Sequence, residues 1–325
     1  MATAIRIHQT GGPDALSVDT VDLGAPGPGE VHLRQGAVGV NYIDTYQRSG
    51  LYKLPSLPHG IGMAGAGEVV AVGPDVTHVA AGDRVCYGHG TPGAYADERI
   101  MPAHVLVKTP DEIADDVAAA MMLRGMTVQY LIRRTFPVQP GQFVLFHAAA
   151  GGVGQIACQW LKHIGARVIG TVGSDEKAEI ARRNGCEFPI VYTRDNFREA
   201  VMEITQGAGV PVVYDGVGKA VFEDSIKSLS KLGMYVQFGN ASGPVEPVSP
   251  LMLAQNGSLF MTRPTLMDYV SRRDWLEETA QDLFDVVKSG AVTVEIGQRY
   301  ALTDAAQAHR DLEARKTVGS TVLIP

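Results

Sequence analysis

The spacing of apolar residues changes once along the chain. Up to about residue 120 they alternate or fall in short runs, as in Glu30 to Val40, Gly65 to Val72 and His104 to Val107. Turn-forming clusters separate these runs: Gly24-Ala-Pro-Gly-Pro-Gly29, Gly73-Pro-Asp75 and Ala81-Gly-Asp83. The pattern predicts a β-rich region with no helix before the Ala/Met-rich stretch Asp115 to Leu123. Beyond it, strand-like and helix-like segments take turns. Phe143 to Ala148 is a short apolar run after the turn pair Pro140-Gly141, as a strand buried on both faces requires. Ile156, Trp160 and Ile164 then recur at four-residue spacing, with Ala157 and Leu161 beside them, which predicts an amphipathic helix.

The alternation continues with predicted strands at Arg167–Val172, Pro189–Tyr192, Pro211–Tyr214, Met234–Phe238 and Ser258–Thr262. The predicted helices are Ser174–Asn184, Asn196–Gln206 and Lys219–Lys231, with a short helical stretch before the last strand. Repeated strand–helix units imply a parallel, doubly wound α/β sheet of the Rossmann kind, covered by helices on both faces. The tail holds amphipathic segments near Trp275–Ser289 and Asp304–Arg315. It ends in a strand-like Ser320–Ile324 that is expected to return to the first domain. The expected division is 1–123, 124–262 for the Rossmann domain, and 263–325 as the return.

With 325 residues the chain is long enough for two domains and a sizeable core. A formal net charge of −7 leaves no basic face for a phosphate backbone, so a nucleic-acid partner is not expected. Cys86, Cys158 and Cys186 are too few and too scattered for a disulfide framework and suggest a reducing compartment. No apolar run is long enough to span a bilayer and the N-terminus lacks a signal-peptide core, so the expectation is a cytoplasmic protein without a membrane partner.

The candidate chemistry starts where the first Rossmann strand meets its helix. Ala149-Ala-Gly151-Gly152-Val153-Gly154 carries Ala at the first glycine position of a G-x-G-x-x-G fingerprint. Its flanking strand and helix supply the context that the fingerprint needs. Residues without a Cβ let a pyrophosphate approach the main chain, and the helix N-terminus attracts it, so Gly151, Gly152 and Val153 are cofactor-binding candidates. The cofactor is decided after the second strand, where an NAD site places a carboxylate for the ribose 2′-hydroxyl. Here Gly173 and the helix-capping Ser174 precede Lys177, and a hydroxyl, a glycine and a cation suit a 2′-phosphate. This favours NADPH; Asp175, between them, is the residue an NAD site would use instead.

Several ordered motifs carry a resemblance: Gly39-Val-Asn-Tyr-Ile-Asp-Thr45, Arg48-Ser-Gly-Leu-Tyr52, Phe146 to Gly154, Phe238-Gly-Asn240 and Phe260-Met-Thr-Arg-Pro264. Over nearly its whole length the chain resembles the zeta-crystallin-like quinone oxidoreductases, the zinc-independent branch of the medium-chain dehydrogenase/reductase superfamily. The resemblance implies a Rossmann domain inserted in a β-rich GroES-like catalytic domain, NADPH, reduction of a quinone, and a homodimer paired through the Rossmann domains. It further implies that Asn41 lies near the nicotinamide ribose, that Tyr46 and Tyr52 line the acceptor slot, and that Thr127, Phe238, Gly239 and Asn240 serve the nicotinamide end. Tyr192 is assigned to the 2′-phosphate or adenine, and Arg263 and Arg315 to the cofactor phosphates. His147 and Asp215 read as structural hydrogen-bonding residues.

Where zinc-dependent relatives carry metal ligands, this chain has Asn41 and Met63, neither of which supplies a thiolate or imidazole. No metal is expected, and without a Lewis acid alcohol oxidation loses its activating group. A quinone is already electrophilic and planar, and needs chiefly position and a dry slot. Two rival readings stay open: reduction of an enone or enal by the same cofactor, and a nucleotide- or RNA-binding protein without turnover.

Overall fold

A computed structural model describes residues 1–325 in two units. The first comprises Met1–Met126, Val270–Lys288 and Val294–Pro325; the second comprises Thr127–Tyr269 and Ser289–Thr293. The division at 126/127 falls inside the helix Asp115–Tyr130, which runs further than the sequence pattern indicates and ends in a π-type turn at Leu131–Thr135. Its apolar side chains are spread all round, so the hydrophobic period gives no stopping point.

The first unit is β-rich. Glu30–Val40 is its central strand, flanked in antiparallel fashion by Ala64–Val72 on one side and Ser320–Ile324 on the other. Val31 and Leu33 alternate with more exposed neighbours at the start of the strand and join a core with Ile5, Ile7, Val69, Val85 and Tyr95. Thr321, Val322 and Leu323 pair with Val40, Gly39 and Val38, so the tail does return to this sheet.

Two expectations for this unit fail, and one strand stands where none was assigned. His104–Val107 is not one strand: Glu98–Pro102 is the strand, a 3-10 turn at Ala103–Val105 follows it, and only Val107 enters a second, two-residue strand, Val107–Lys108. Ile296–Ala301, which the sequence pattern leaves unassigned, pairs in parallel with the terminal strand. A helix, Tyr42–Ser49, also stands in the region expected to have none. Its inward face is made of Asp44, Thr45, Gln47 and Arg48 beside Tyr46, so no apolar stripe marks it. Its ends are marked instead: Asp44 accepts the Asn41 N–H at 2.7 Å, and Gly50 closes the helix at φ 85°.

The second unit is a six-stranded parallel sheet. Across it lie Phe188–Val191, Arg167–Val172, Phe143–Phe146, Val210–Asp215, Leu229–Gln237 and Phe260–Thr262. This order reverses direction beside the first strand, which puts the turn after Phe146 at the switch point where parallel sheets bind ligands. Leu145, Ile169, Ile190, Val213 and Tyr235 form its core with Phe197, Val201, Phe222 and Ile226 from the helices. The expected helix 219–231 shrinks to Phe222–Lys227, and the next strand starts early, at Leu229. Ser225 and Ser228 bond back to the carbonyls of Val221 and Asp224, and Leu229 pairs with Val210.

Candidate active site

The glycine turn is set by the central strand. Val144, Leu145 and Phe146 are fully buried between neighbouring strands, and the His147 amide still donates to Tyr214 O at 3.0 Å. The chain then turns through Ala148 at φ 55°, and Gly151 caps the helix Gly152–Ile164. A Cβ on Gly154 would stand 2.4 Å from Ala148 O and 2.7 Å from Ala149 Cα, so the helix rests on the turn with room only for hydrogen. A Cβ on Gly170, in the adjacent strand, would stand 2.6 Å from both Ala149 Cβ and Cys186 Sγ. The methyl group at the first fingerprint position is therefore housed by a glycine next door. The first amides of the helix have no intrahelical partner and form an anion cradle with the helix dipole.

The second strand ends at Val172, and Ser174 caps the following helix, its Oγ accepting the Lys177 N–H at 3.3 Å. Tyr192 keeps 43 % of its surface exposed, and its hydroxyl lies over Gly173, 3.1 Å from where a Cβ would be. Asp175 is bound to Arg194 at 3.1 Å on the exposed side. A hydroxyl, a lysine in the first helical turn and a phenol thus gather at the strand end while the nearby carboxylate pairs with Arg194. Arg194 was not marked by the sequence, because it lies 19 residues beyond Asp175, past the third strand.

The fifth strand ends at Gln237, whose Nε2 donates to Asn240 Oδ1 at 3.0 Å. Phe238 N–H donates to Asp215 O, and a Cβ on Gly239 would meet Gly216 O at 2.6 Å, so the 215–218 and 238–240 turns are packed backbone to backbone. Asp215 is buried and accepts the amides of Val217 and Gly218 and the Tyr235 hydroxyl. It anchors these turns. His147 is bonded at Nδ1 to Thr171 Oγ1 and at Nε2 to Ser225 Oγ, both at 2.8 Å, and burial lowers its pKa. Both ring nitrogens are committed to structure. Thr127 is buried in its helix; Arg263 is exposed, with Nη1 donating to Pro264 O at 2.9 Å.

In the first unit, Asn41 is buried, donating to Gly39 O at 3.2 Å and accepting from Arg124 Nε at 2.9 Å. The helix that it caps carries Tyr42 and Tyr46, and Tyr52 follows. The Tyr46 ring lies 5.8 Å from Tyr42 and 5.2 Å, edge-on, from Tyr52, forming an aromatic wall with two half-buried members. Burial raises the Tyr42 pKa, Glu313 adds to the effect, and Arg315 opposes it. Arg315 is exposed just past the helix Ala305–Glu313. The sequence did not mark Tyr42, nor Asp44, Arg48, Tyr95, Arg124 and His309, which have partners far along the chain. Met63 is buried beside Gly62, and no group of three or more His, Cys, Asp or Glu side chains is arranged to hold a metal ion.

Comparison with known proteins agrees with this arrangement. Residues 27–111 match the alcohol dehydrogenase GroES-like domain and residues 152–300 the zinc-binding dehydrogenase family. A quinone oxidoreductase of Pseudomonas aeruginosa is 49% identical over 325 residues, covering 100% of both chains. A 2-haloacrylate reductase from a Burkholderia species is 45% identical, covering 100% of this chain and 99% of its own. The crystal structure of Escherichia coli quinone oxidoreductase complexed with NADPH superposes with a TM-score of 0.98 at 45% identity, over 99% of this chain and 100% of that one.

Proposed function

The chain belongs to the quinone oxidoreductase family of the medium-chain dehydrogenase/reductase superfamily, and we propose that it reduces a quinone with NADPH, without a metal ion. It is an oxidoreductase, and NADPH is the cofactor that its residues fit. The observation that carries the reading is the end of the second strand, where Ser174, Lys177 and Tyr192 gather while Asp175 is held by Arg194. A ribose 2′-hydroxyl calls for an acceptor there; a 2′-phosphate calls for the donors and cation present.

NADPH, when bound, supplies the hydride. The chain's own part is placement. The Gly152 and Val153 amides take the pyrophosphate beside Gly151, and Gly173, Ser174, Lys177 and Tyr192 take the 2′-phosphate. Phe238, Gly239, Asn240 and Thr127 orient the nicotinamide end, and Arg263 and Arg315 supply charge toward the phosphates. Tyr46 and Tyr52 offer the acceptor flat apolar faces and a hydroxyl, with Asn41 fixed behind them. A planar, electrophilic acceptor needs this positioning more than it needs acid catalysis.

A second reading is supported by the 2-haloacrylate reductase, since an activated double bond accepts hydride under the same geometry. The protein is further read as a cytoplasmic homodimer. Its three cysteines are free and buried, and Phe260, on the edge strand of the parallel sheet, exposes 56 % of its surface.

The test is NADPH oxidation with 1,4-benzoquinone, a naphthoquinone, a 2-enone and 2-chloroacrylate, each with and without chelator. Quinones turned over fastest and unaffected by chelator support the reading. Faster turnover of the alkenes would favour the second reading, and loss of activity with chelator would refute the metal-free mechanism.

A further inference from the structure

The helix Tyr42–Ser49 turns a polar face inward, and a chain of buried groups runs beneath it. Arg48 Nη1 lies 2.9 Å from His309 Nδ1, His309 Nε2 lies 2.9 Å from the Tyr95 hydroxyl, and that hydroxyl lies 3.0 Å from Asp44 Oδ2. A guanidinium can only donate, so Nδ1 accepts. Nε2 therefore carries the ring proton and donates to the phenol oxygen, which leaves the phenol proton for the carboxylate. The Asn41 N–H donates to the same Oδ2 at 2.7 Å. Oδ2 already takes two donors while Oδ1 has no partner, so a proton added to Asp44 would sit on Oδ1 with nothing to accept it. This wiring suits a carboxylate at a position with 0 % exposure. A buried anion needs a counter-charge, and Arg124 supplies one from the helix Asp115–Tyr130, with Nε on Asn41 Oδ1 and Nη2 on Val40 O at 2.5 Å.

We propose that Asp44, as a carboxylate balanced by Arg124, is a positioning residue for the acceptor: it locks Asn41 and the first turn of the tyrosine-bearing helix. The inference rests on the reading that Tyr46 and Tyr52 receive the acceptor, and adds that this surface is set by the charge of Asp44.

The groups facing Asp44 come from each surrounding element. They are the Asn41 amide and Arg48 on its own helix, Tyr87 and Tyr95 from the sheet side, Arg124 from the long helix and His309 from the C-terminal helix, with Glu313 pairing Arg48 at the outer end at 2.7 Å. Burial, then Arg48, holds His309 down at about 3, so it stays neutral. Burial raises both phenols, and it lowers Arg124 only to about 10. Asp44 is pushed up by burial to about 7, against the opposing pull of the Asn41 amide, the Tyr95 hydroxyl and Arg124. Acceptor use should therefore fall on the acid side of neutrality, where the carboxylate gains its proton.

The experiment compares the unaltered protein, Asp44→Asn and Tyr95→Phe with NADPH and 1,4-benzoquinone between about pH 5.5 and 9, with NADPH affinity measured separately by fluorescence. The unaltered protein should show an acid limb near neutrality in quinone kcat/KM. Asp44→Asn should lose that limb and at least about tenfold of kcat/KM, through the quinone KM, with NADPH affinity within about twofold. Tyr95→Phe removes a donor to the ionised carboxyl and should move the limb to higher pH, which decides the matter if Asp44→Asn fails to fold. An acid limb retained in Asp44→Asn, unmoved in Tyr95→Phe or missing from the unaltered protein overturns the inference while leaving the functional reading standing. Failure of the unaltered protein to turn over any quinone, with NADPH bound, brings down that reading and this inference with it.

Discussion

Replacing Gly154 by alanine should damage fold and cofactor binding together. The new Cβ would lie 2.4 Å from Ala148 O and 2.7 Å from Ala149 C and Cα, all backbone atoms of the turn itself. A carbon–oxygen contact settles near about 3.3 Å, so the start of the helix Gly152–Ile164 must withdraw by roughly 0.9 Å. Overpacking of this kind costs about 1–3 kcal/mol, enough to lower Tm by a few degrees. The same withdrawal stretches amide–phosphate hydrogen bonds beyond their useful range, and each bond to a charged group is worth about 1.5–3 kcal/mol. Losing one such bond weakens NADPH binding roughly 10- to 100-fold. Gly151→Ala is the control: its only contact would be at 3.2 Å, and its φ of −76° suits any residue. That variant should keep its Tm within about a degree, whatever its methyl does to the ligand. Thermal melts with and without NADPH, and a fluorescence titration, read both quantities. A Gly154→Ala protein with unchanged Tm and NADPH affinity within about twofold would refute the close-packed cradle.

Lys177→Ala should raise the NADPH KM by about tenfold and leave the NADH KM nearly unchanged, as loss of one charge-assisted contact implies; equal effects would refute the 2′-phosphate assignment. The Asp44 carboxyl sits at about 7, above its ordinary 3.8, so its contribution to stability is complete below about pH 4 and is lost as pH rises through 7. Across that window the Tm of Asp44→Asn should gain on that of the unaltered protein as pH rises, and a constant difference would contradict the buried charge. Phe260→Lys puts a cation on the exposed sheet edge and should convert a dimer to monomer in light scattering, with the melting temperature of a diluted sample little changed. Retention of the dimer would move the interface elsewhere.

The Rossmann half was legible because its physics is local. Most strands are apolar runs, most helices have a stripe or a cap such as Ser174 or Asn196, and the crossover rule supplies the topology; the exception is Phe222–Lys227, which has neither side-chain cap nor a clear end. The fingerprint's missing glycine was legible only as a departure, since Gly170, which makes room for Ala149, lies on another strand. The Tyr42–Ser49 helix escaped a search for apolar stripes because its buried face is polar. Its partners Tyr95, Arg124 and His309 are separated from Asp44 by 51, 80 and 265 residues, counting 95 − 44, 124 − 44 and 309 − 44. No spacing rule spans such gaps. Family likeness pointed to Asn41 and Tyr46, but it did not disclose the buried carboxyl behind them.

The strand Glu30–Val40 leads directly into Asn41, and its last residues depend on Thr321–Leu323 for their outer hydrogen bonds. In the order of synthesis that partner comes after the whole parallel sheet, whose last strand is Phe260–Thr262. The parallel sheet can therefore mature while the first sheet still has an unsatisfied edge, a transient liability for pairing with other chains. Vectorial production thus favours a nucleotide-competent intermediate before the acceptor side is finished, and reduced pyridine nucleotide present during translation would stabilise the half that forms first.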